Sequence, residues 1–263
     1  MTAGDGPMAT ILMVGCGRMG GAMASAWAPS FRVQVFDPNA EPPPGTERVR
    51  SLEDADDSDV VVLAVKPQVF PDAAPALAGF ADRSTFLSIM AGLSLSTLSA
   101  ALNGTRRVVR AMPNTPAAIG RGITAAITDR GVGKSERQLV DRLLRATGDM
   151  AWLDRESDLD AVTAVSGSGP AYFFRFTEAL ARAGERAGLD AALAAQLARA
   201  TFSGAAALAD ARTESLSVLR EEVTSPGGTT AAGLAEFDRD DAIDRLVGDV
   251  VARAAARSRA LGA

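Results

Sequence analysis

The sequence predicts an α/β protein: an N-terminal Rossmann-type, mostly parallel sheet with helices, followed by an all-helical C-terminal dimerisation domain. Three observations carry this reading. Short β-branched runs alternate with helical periodicity from Thr10 to about Asp129, the pattern of βαβ units around a parallel sheet. The glycine-rich stretch GCGRMG, Gly15 to Gly20, opens the first predicted helix directly after the first predicted strand. Beyond Ser135 the β signals fade, and Ala, Leu and Arg carry a helical pattern to the end of the chain.

The elements follow in order. Ala9 to Val14 reads as an apolar strand, a helix runs from about Met19 to Ala28, and the strand FRVQVF ends at Asp37. Between Glu41 and Arg48 the segment EPPPGTER holds too many prolines for a helix, so the second crossover is expected to be a short loop. Further strands are expected at Asp59–Val65, Thr85–Ala91, Arg106–Met112 and Gly122–Thr128, each bounded by Gly, Pro or Asn. The change of pattern places a domain boundary near Asp158, giving a dinucleotide-binding domain over 1–157 and a helical dimerisation and substrate domain over 158–263. The second part is interrupted at SGSGP (Ser166–Pro170), an N-cap followed by proline at the first helical position, and again at VTSPGGTT. Its helices could pack on themselves or on a second copy, and the pattern leaves both open.

Composition removes several classes of function. With 263 residues, 47% of them hydrophobic and 22% charged, and a formal net charge of -5, the chain reads as folded and globular. It carries no basic footprint for nucleic acid and no polybasic arm for a membrane surface. No stretch reaches the roughly 18 apolar residues of a membrane span, and the polar opening MTAGDGPMAT does not resemble a secretory signal, so a cytoplasmic location is expected. Cys16 is the lone cysteine and there is no histidine, which argues against a disulfide, a Cys/His metal site and a histidine-based triad.

The glycines of GCGRMG have distinct tasks. Gly15 permits the tight turn, Gly17 lets a pyrophosphate approach the backbone, and Gly20 allows the helix to pack against the strand. The helix start then offers unpaired N–H groups and a partial positive charge to the phosphates. Asp37 ends the second strand about 22 positions after Gly15, where a carboxylate accepts from a ribose 2′-OH. A 2′-phosphate would meet like charge there, and the next loop supplies Glu41 and Glu47 before Arg48, so the cofactor leans to NADH.

The inventory of acids narrows the chemistry. Hydride transfer to a carbonyl needs a group that protonates the developing alkoxide, usually His, Lys or Tyr. This chain has no His, one Tyr (Tyr172) and two lysines, Lys134 in a polar turn and Lys66 in AVKPQ at a strand end. A protonated cyclic imine is already an electrophile and yields no alkoxide. Such a substrate needs orientation and a holder for its anion. Asn114, in MPNTP after a strand, would point its amide to the crevice where a nicotinamide carboxamide could pair with it. In VTSPGGTT, Ser225 and Pro226 end one helix, Gly227 and Gly228 permit an unusual backbone path, and Thr229 or Thr230 is expected to cap the next helix, whose first N–H groups could receive an anion.

RAMPNTPAAIGRG (Arg110–Gly122), DAVTAVSGSGPAYFF (Asp160–Phe174) and EEVTSPGGTTAAGL (Glu221–Leu234) resemble the three signature blocks of the pyrroline-5-carboxylate reductase family, with GCGRMG and AVKPQ in matching order. The resemblance implies reduction of 1-pyrroline-5-carboxylate to L-proline with NAD(P)H, the last step of proline biosynthesis, by a homodimer that commonly assembles into larger rings. It places cofactor contacts on Gly15, Arg18, Met19, Gly20, Ala64, Val65, Lys66, Pro67 and Asn114. It places substrate contacts on Ser225, Gly228, Thr229 and Thr230, with Thr230 near the imine nitrogen. Many members prefer NADPH and carry a Ser, Arg or Asn cluster after the second strand, whereas this chain reads FDPNAEPPP. Two rivals remain. A β-hydroxyacid-type dehydrogenase or other imine reductase shares the layout, although the hydroxyacid version needs a lysine at the start of the second domain and residues 135–263 have none. A non-catalytic dinucleotide-binding regulator would not need the intact Ser225–Thr230 block.

Overall fold

The computed structural model describes residues 8–262; the polar opening segment Met1–Pro7 lies outside them. Two compact units emerge, one running to Ser168 and rejoined by the chain from Ala254, the other spanning Gly169–Arg253.

The first unit is built on one eight-stranded sheet in the order β3-β2-β1-β4-β5-β6-β7-β8. Its strands are β1 (Thr10–Val14), β2 (Arg32–Phe36), β3 (Glu47–Arg48), β4 (Val60–Leu63), β5 (Thr85–Ser88), β6 (Val108–Met112), β7 (Gly122–Thr128) and β8 (Gly148–Trp152). Every pairing is parallel except β6 with β7. The first six strands stand in the doubly wound dinucleotide order, which reverses direction between β1 and β4. Four helices accompany them: α1 (Arg18–Trp27), α2 (Phe70–Leu77), α3 (Leu95–Ala101) and α4 (Lys134–Arg145). The proline-rich second crossover forms no helix, and its last residues make β3.

Successive residues of a strand face opposite sides of a sheet, and here both sides are covered. Ile11, Met13, Val33, Val35, Val60 and Val62 pack in one cluster with Trp27 of α1 and Val140 and Leu143 of α4. Leu12, Val14, Val61 and Leu63 pack in the other with Phe70 and Leu77 of α2 and Leu98 of α3. Trp27 is fully buried, and its indole N–H donates to the Leu143 carbonyl at 2.6 Å, so one side chain ties α1 to α4.

The strands are shorter than the sequence suggests. Ala9, Phe31, Asp59, Ala64, Val65, Ile89 to Ala91 and Arg106 to Arg107 fall outside them; at Val65 and Ile89 to Ala91 the apolar run continues into the following loop. The expected end of β structure near Ser135 is corrected by β8, which adds to the edge of the sheet after α4. GDMAW lacks β-branched residues and is only half-buried, so it carries little of the usual strand signal.

A single turn, α5 (Leu159–Val162), runs into a π turn at Thr163–Gly167. SGSGP thus holds both a kink and a helix start: the π turn ends at Gly167 and α6 (Gly169–Arg186) begins two residues on, with Pro170 in its first turn. Ser168 N–H reaches the Thr163 carbonyl at 2.8 Å, the five-residue spacing of a π bulge. Pro170, two residues on, has no N–H to continue a regular ladder. The second unit contains α6 (Gly169–Arg186), α7 (Ala191–Ala211), α8 (Leu216–Glu222), α9 (Thr229–Asp238) and most of α10 (Ala242–Gly262). Phe173 and Phe174 of α6 meet the Phe202 ring of α7 at 6.1 and 6.3 Å. Even so, Phe173 is 61% exposed, Phe174 57% and Leu246 62%, so this unit on its own leaves large apolar side chains uncovered. No helix among the described residues is long and apolar enough to cross a membrane.

Trp27→Ala should destabilise the first unit by about 3 to 5 kcal/mol, the cost of an aromatic cavity plus an orphaned carbonyl. Urea denaturation followed by circular dichroism checks this, and a loss below about 1 kcal/mol would show that α1 and α4 are held by other contacts.

Candidate functional site

Gly15 stands at the end of β1, where the strand order reverses and open α/β sheets take their ligands. Its φ is 94°, and a Cβ there would lie 2.7 Å from the Ala64 carbonyl oxygen. A Cβ on Gly20 would strike the Gly15 carbonyl. Gly17 differs, because nothing lies within 4 Å of where its Cβ would be; here the missing side chain leaves an open approach. Gly17 is the N-cap of α1 and no side chain bonds the first turn. The first main-chain bond into the helix is Gly21 N–H to the Gly17 carbonyl at 2.8 Å. The N–H groups of Arg18, Met19 and Gly20 are left for a ligand, and this cradle fits a pyrophosphate.

Asp37 fastens the cradle. Its Oδ2 accepts from Cys16 N–H at 2.6 Å, and its Oδ1 accepts from Asn39 and Ala40 N–H at 2.8 and 3.1 Å. Partial burial pushes its carboxyl up, but those three N–H groups and the Arg48 guanidinium outweigh it and hold Asp37 below the ordinary value of 3.8. Burial, and then the Asp37 charge, push the Cys16 thiol up. It stays a thiol at neutral pH and is no nucleophile.

Ala64 N–H donates to the Val14 carbonyl at 2.8 Å, and the Lys66 carbonyl accepts from Val69 N–H at 2.9 Å. Ala64 to Pro67 thus form the turn between β4 and α2, with the Lys66 side chain exposed. Asn114 follows β6 and is only 9% exposed. Its Oδ1 accepts from Ile123 N–H at 2.9 Å, which commits the carbonyl half of the amide to structure and leaves the NH2 half as the donor. The 3₁₀ turn after it, Thr115–Ile119, packs against α1. The first unit therefore places Gly15, Gly17, Arg18, Met19, Gly20, Asp37, Ala64 to Pro67 and Asn114 after the carboxyl ends of β1, β2, β4 and β6.

The residues Ser225, Gly228, Thr229 and Thr230 assemble separately, within the second unit. The expectation that Thr229 or Thr230 caps α9 is corrected: the N-cap is Gly228, and no side chain bonds the first turn. Both threonines lie inside the helix, at its first two positions, and are exposed. Gly227 has φ 70°, Gly228 N–H donates to the Ser225 carbonyl at 3.0 Å, and the first bond into α9 is Ala232 N–H to the Gly228 carbonyl at 3.1 Å. The N–H groups of Thr229, Thr230 and Ala231 point out of the helix beside two hydroxyls. Three other helices are capped by side chains, whereas α2 and α4, with N-caps Val69 and Gly133, are not. Ser94 accepts from Thr97 N–H, Asp190 from Ala192 and Leu193 N–H, and Ser215 from Val218 N–H. The glycine N-caps of α1 and α9 leave their first turns open.

One pair was beyond sequence reasoning. The Arg110 guanidinium binds the Glu156 carboxylate, which also accepts from Leu95 N–H at 2.7 Å. This joins β6, the strand leading to Asn114, to the start of α3. The partners lie 46 residues apart, and nothing in the local pattern marks either one.

Fold and cradle define a dinucleotide-binding oxidoreductase with an appended helical domain. A family model described as pyrroline-5-carboxylate reductase dimerisation matches residues 156–261, and one described as NADP oxidoreductase, coenzyme F420-dependent, matches residues 10–92. The pyrroline-5-carboxylate reductase of Pseudomonas aeruginosa is 37% identical, with 95% of this chain and 96% of that protein covered. The one from Arabidopsis thaliana is 42% identical, with 88% and 79% covered. Among solved structures, a pyrroline-5-carboxylate reductase from Coxiella burnetii superposes with a TM-score of 0.90 at 28% identity, covering 97% of this chain and 99% of that one. The Plasmodium falciparum enzyme with NADP bound gives 0.83 at 27% identity, covering 98% and 99%. The chain belongs to the pyrroline-5-carboxylate reductase family.

The lowered Asp37 value sets a sign. A carboxyl depressed on folding contributes stability that is fully present above the ordinary value of 3.8 and is lost as pH falls through the depressed value. Asp37→Asn should therefore flatten the acid limb of the stability curve below about pH 4. Equal acid slopes for the two proteins in urea titrations would show that the clamp does not contribute.

Proposed function

We propose that this chain reduces the C=N bond of 1-pyrroline-5-carboxylate to give L-proline, the last step of proline biosynthesis, using NAD(P)H bound at the Gly15–Gly20 cradle. The observation that carries the reading is the pair of uncapped helix starts at Gly17 and Gly228, each offering free N–H groups to an anion. Residues 1–157 serve as the dinucleotide-binding domain and 158–263 as the helical dimerisation and substrate domain.

Bound NAD(P)H supplies the hydride. The protein's part is binding and orientation. N–H groups of Arg18, Met19 and Gly20 hold the pyrophosphate with Gly17 keeping the approach clear, Ala64, Val65, Lys66 and Pro67 line the next turn, and the Asn114 NH2 donates to the carboxamide. The Thr229, Thr230 and Ala231 N–H groups, with Ser225 and Gly228 shaping the turn, hold the substrate carboxylate. Thr230 places its hydroxyl at the nitrogen of the protonated imine, so that hydride addition to the ring carbon turns C=NH+ into the neutral amine with no further proton taken up in that step. No side-chain acid is required for an alkoxide, in keeping with a chain that lacks histidine.

Asp37 inclines the cofactor choice to NADH. Its Oδ1 already accepts two main-chain N–H groups, but Oδ2 accepts only that of Cys16 and retains a lone pair for the ribose 2′-OH. A 2′-phosphate would be repelled. The exposed Phe173, Phe174, Phe176, Leu246 and Val247 are covered in a homodimer, with larger rings assembled from such dimers. The protein works in the cytoplasm.

The test follows NADH and NADPH absorbance with 1-pyrroline-5-carboxylate, and separately NAD reduction with a 3-hydroxyacid. Turnover of the imine is expected with NADH favoured; no turnover with either cofactor, or turnover of the hydroxyacid instead, would overturn the reading. Thr230→Val should lower kcat for the imine about a hundredfold with cofactor affinity little changed, and an unchanged rate would remove Thr230 from the site.

A further inference from the structure

Arg48 ends β3, the short strand beside β2, with its Cα level with Val35, two residues before Asp37. Its side chain runs forward to the loop that follows β2. Nη2 donates to the Ala40 carbonyl at 3.2 Å, and Ala40 N–H is itself one of the donors to Asp37. Nη1 faces both carboxylate oxygens of Glu41 at 3.0 and 3.1 Å. The guanidinium thus lies one residue from the carboxylate that meets the ribose, where a dinucleotide fold that takes a 2′-phosphate places an arginine.

What engages Arg48 instead is Glu41. The Arg48 side chain is 43% exposed and that of Glu41 85%, so the pair contributes little to the fold. Its consequence is local: the Arg48 guanidinium, bonded to this loop, is neutralised by a neighbour that the loop itself supplies. A phosphate is a strong bidentate partner for a guanidinium, but here it would have to displace a carboxylate already in place and approach that carboxylate's charge.

We infer that Glu41 is a specificity-determining residue that acts through Arg48, withholding the guanidinium from a cofactor 2′-phosphate, and that its removal opens a 2′-phosphate subsite. The inference rests on reading the Gly15–Gly20 loop and Asp37 as the dinucleotide site. It assigns Asp37 and Glu41 separable parts. Asp37 fastens the cradle and faces the ribose, and Glu41 controls whether positive charge is available beyond it.

Calorimetric titration of the full chain with NADP+ and with NAD+ tests this, beside the same steady-state rates with NADPH and NADH. Glu41→Gln should raise the NADP+ to NAD+ affinity ratio about tenfold, the scale of one added charged hydrogen bond, and Glu41→Gln combined with Arg48→Ala should return the ratio to the parent value. A ratio unmoved by Glu41→Gln, or a gain that survives loss of Arg48, would overturn the role of Glu41. Absence of binding by either dinucleotide to the unaltered chain would instead overturn the underlying site, and thermal unfolding of each variant separates both results from a failure to fold.

Discussion

The close approach of Gly15 to Ala64 is the constraint on which the rest of the site depends. Two parallel strands, β1 and β4, end side by side where the sheet changes direction, and their following residues meet backbone to backbone. A Cβ at Gly15 would lie 2.7 Å from the Ala64 carbonyl oxygen, so any other residue would push the turns apart. From that contact follow the direction of α1, the contact of Gly20 with the Gly15 carbonyl, and the placing of Cys16 N–H where Asp37 bonds it. The Gly15–Gly20 turn is thus assembled by main-chain geometry and one carboxylate, with Arg18 opening α1 beside it.

A second regularity joins the two units chemically without requiring similar sequences. A helix start normally satisfies its first N–H groups with Ser, Thr, Asp or Asn, a cap worth about 1 kcal/mol. This chain follows that practice at Ser94, Asp190 and Ser215; no side-chain cap forms at Val69 before α2 or at Gly133 before α4, where Gly133 N–H instead bonds the Glu136 carboxylate, nor at Gly17 and Gly228. At Gly17 and Gly228 a glycine precedes N–H groups that a bound anion could satisfy. Stability forgone at those two ends becomes binding capacity, and a chain with no histidine and two lysines can hold phosphates and a small carboxylate with its backbone.

Legibility in the sequence followed the range of the interactions involved. Local signals were reliable: GCGRMG lies between a strand and a helix as its spacing implies, and the prolines after Glu41 exclude a crossover helix. Features settled by distant partners were not visible. β8 is a strand because β7 offers an edge, although GDMAW has little preference for one. SGSGP carries a π bulge as well as the expected helix start at Gly169, since the preceding residues were already helical. The threonines of SPGGTT entered the helix and left capping to Gly228, a choice made by the turn that closes on the Ser225 carbonyl. Asp37 was visible as the acid that ends the second strand, but its bond to Cys16 depends on how two strands converge, and the Arg110–Glu156 pair left no local trace at all.

The central claim is that an open helix start receives the substrate carboxylate. A crystal structure of the chain with L-proline bound tests it most directly. The account predicts the proline carboxylate within hydrogen-bond distance of the N–H groups of Thr229, Thr230 and Ala231, with the ring nitrogen facing the Thr230 hydroxyl. A carboxylate held by arginine side chains elsewhere, with those three N–H groups left unengaged, would contradict it.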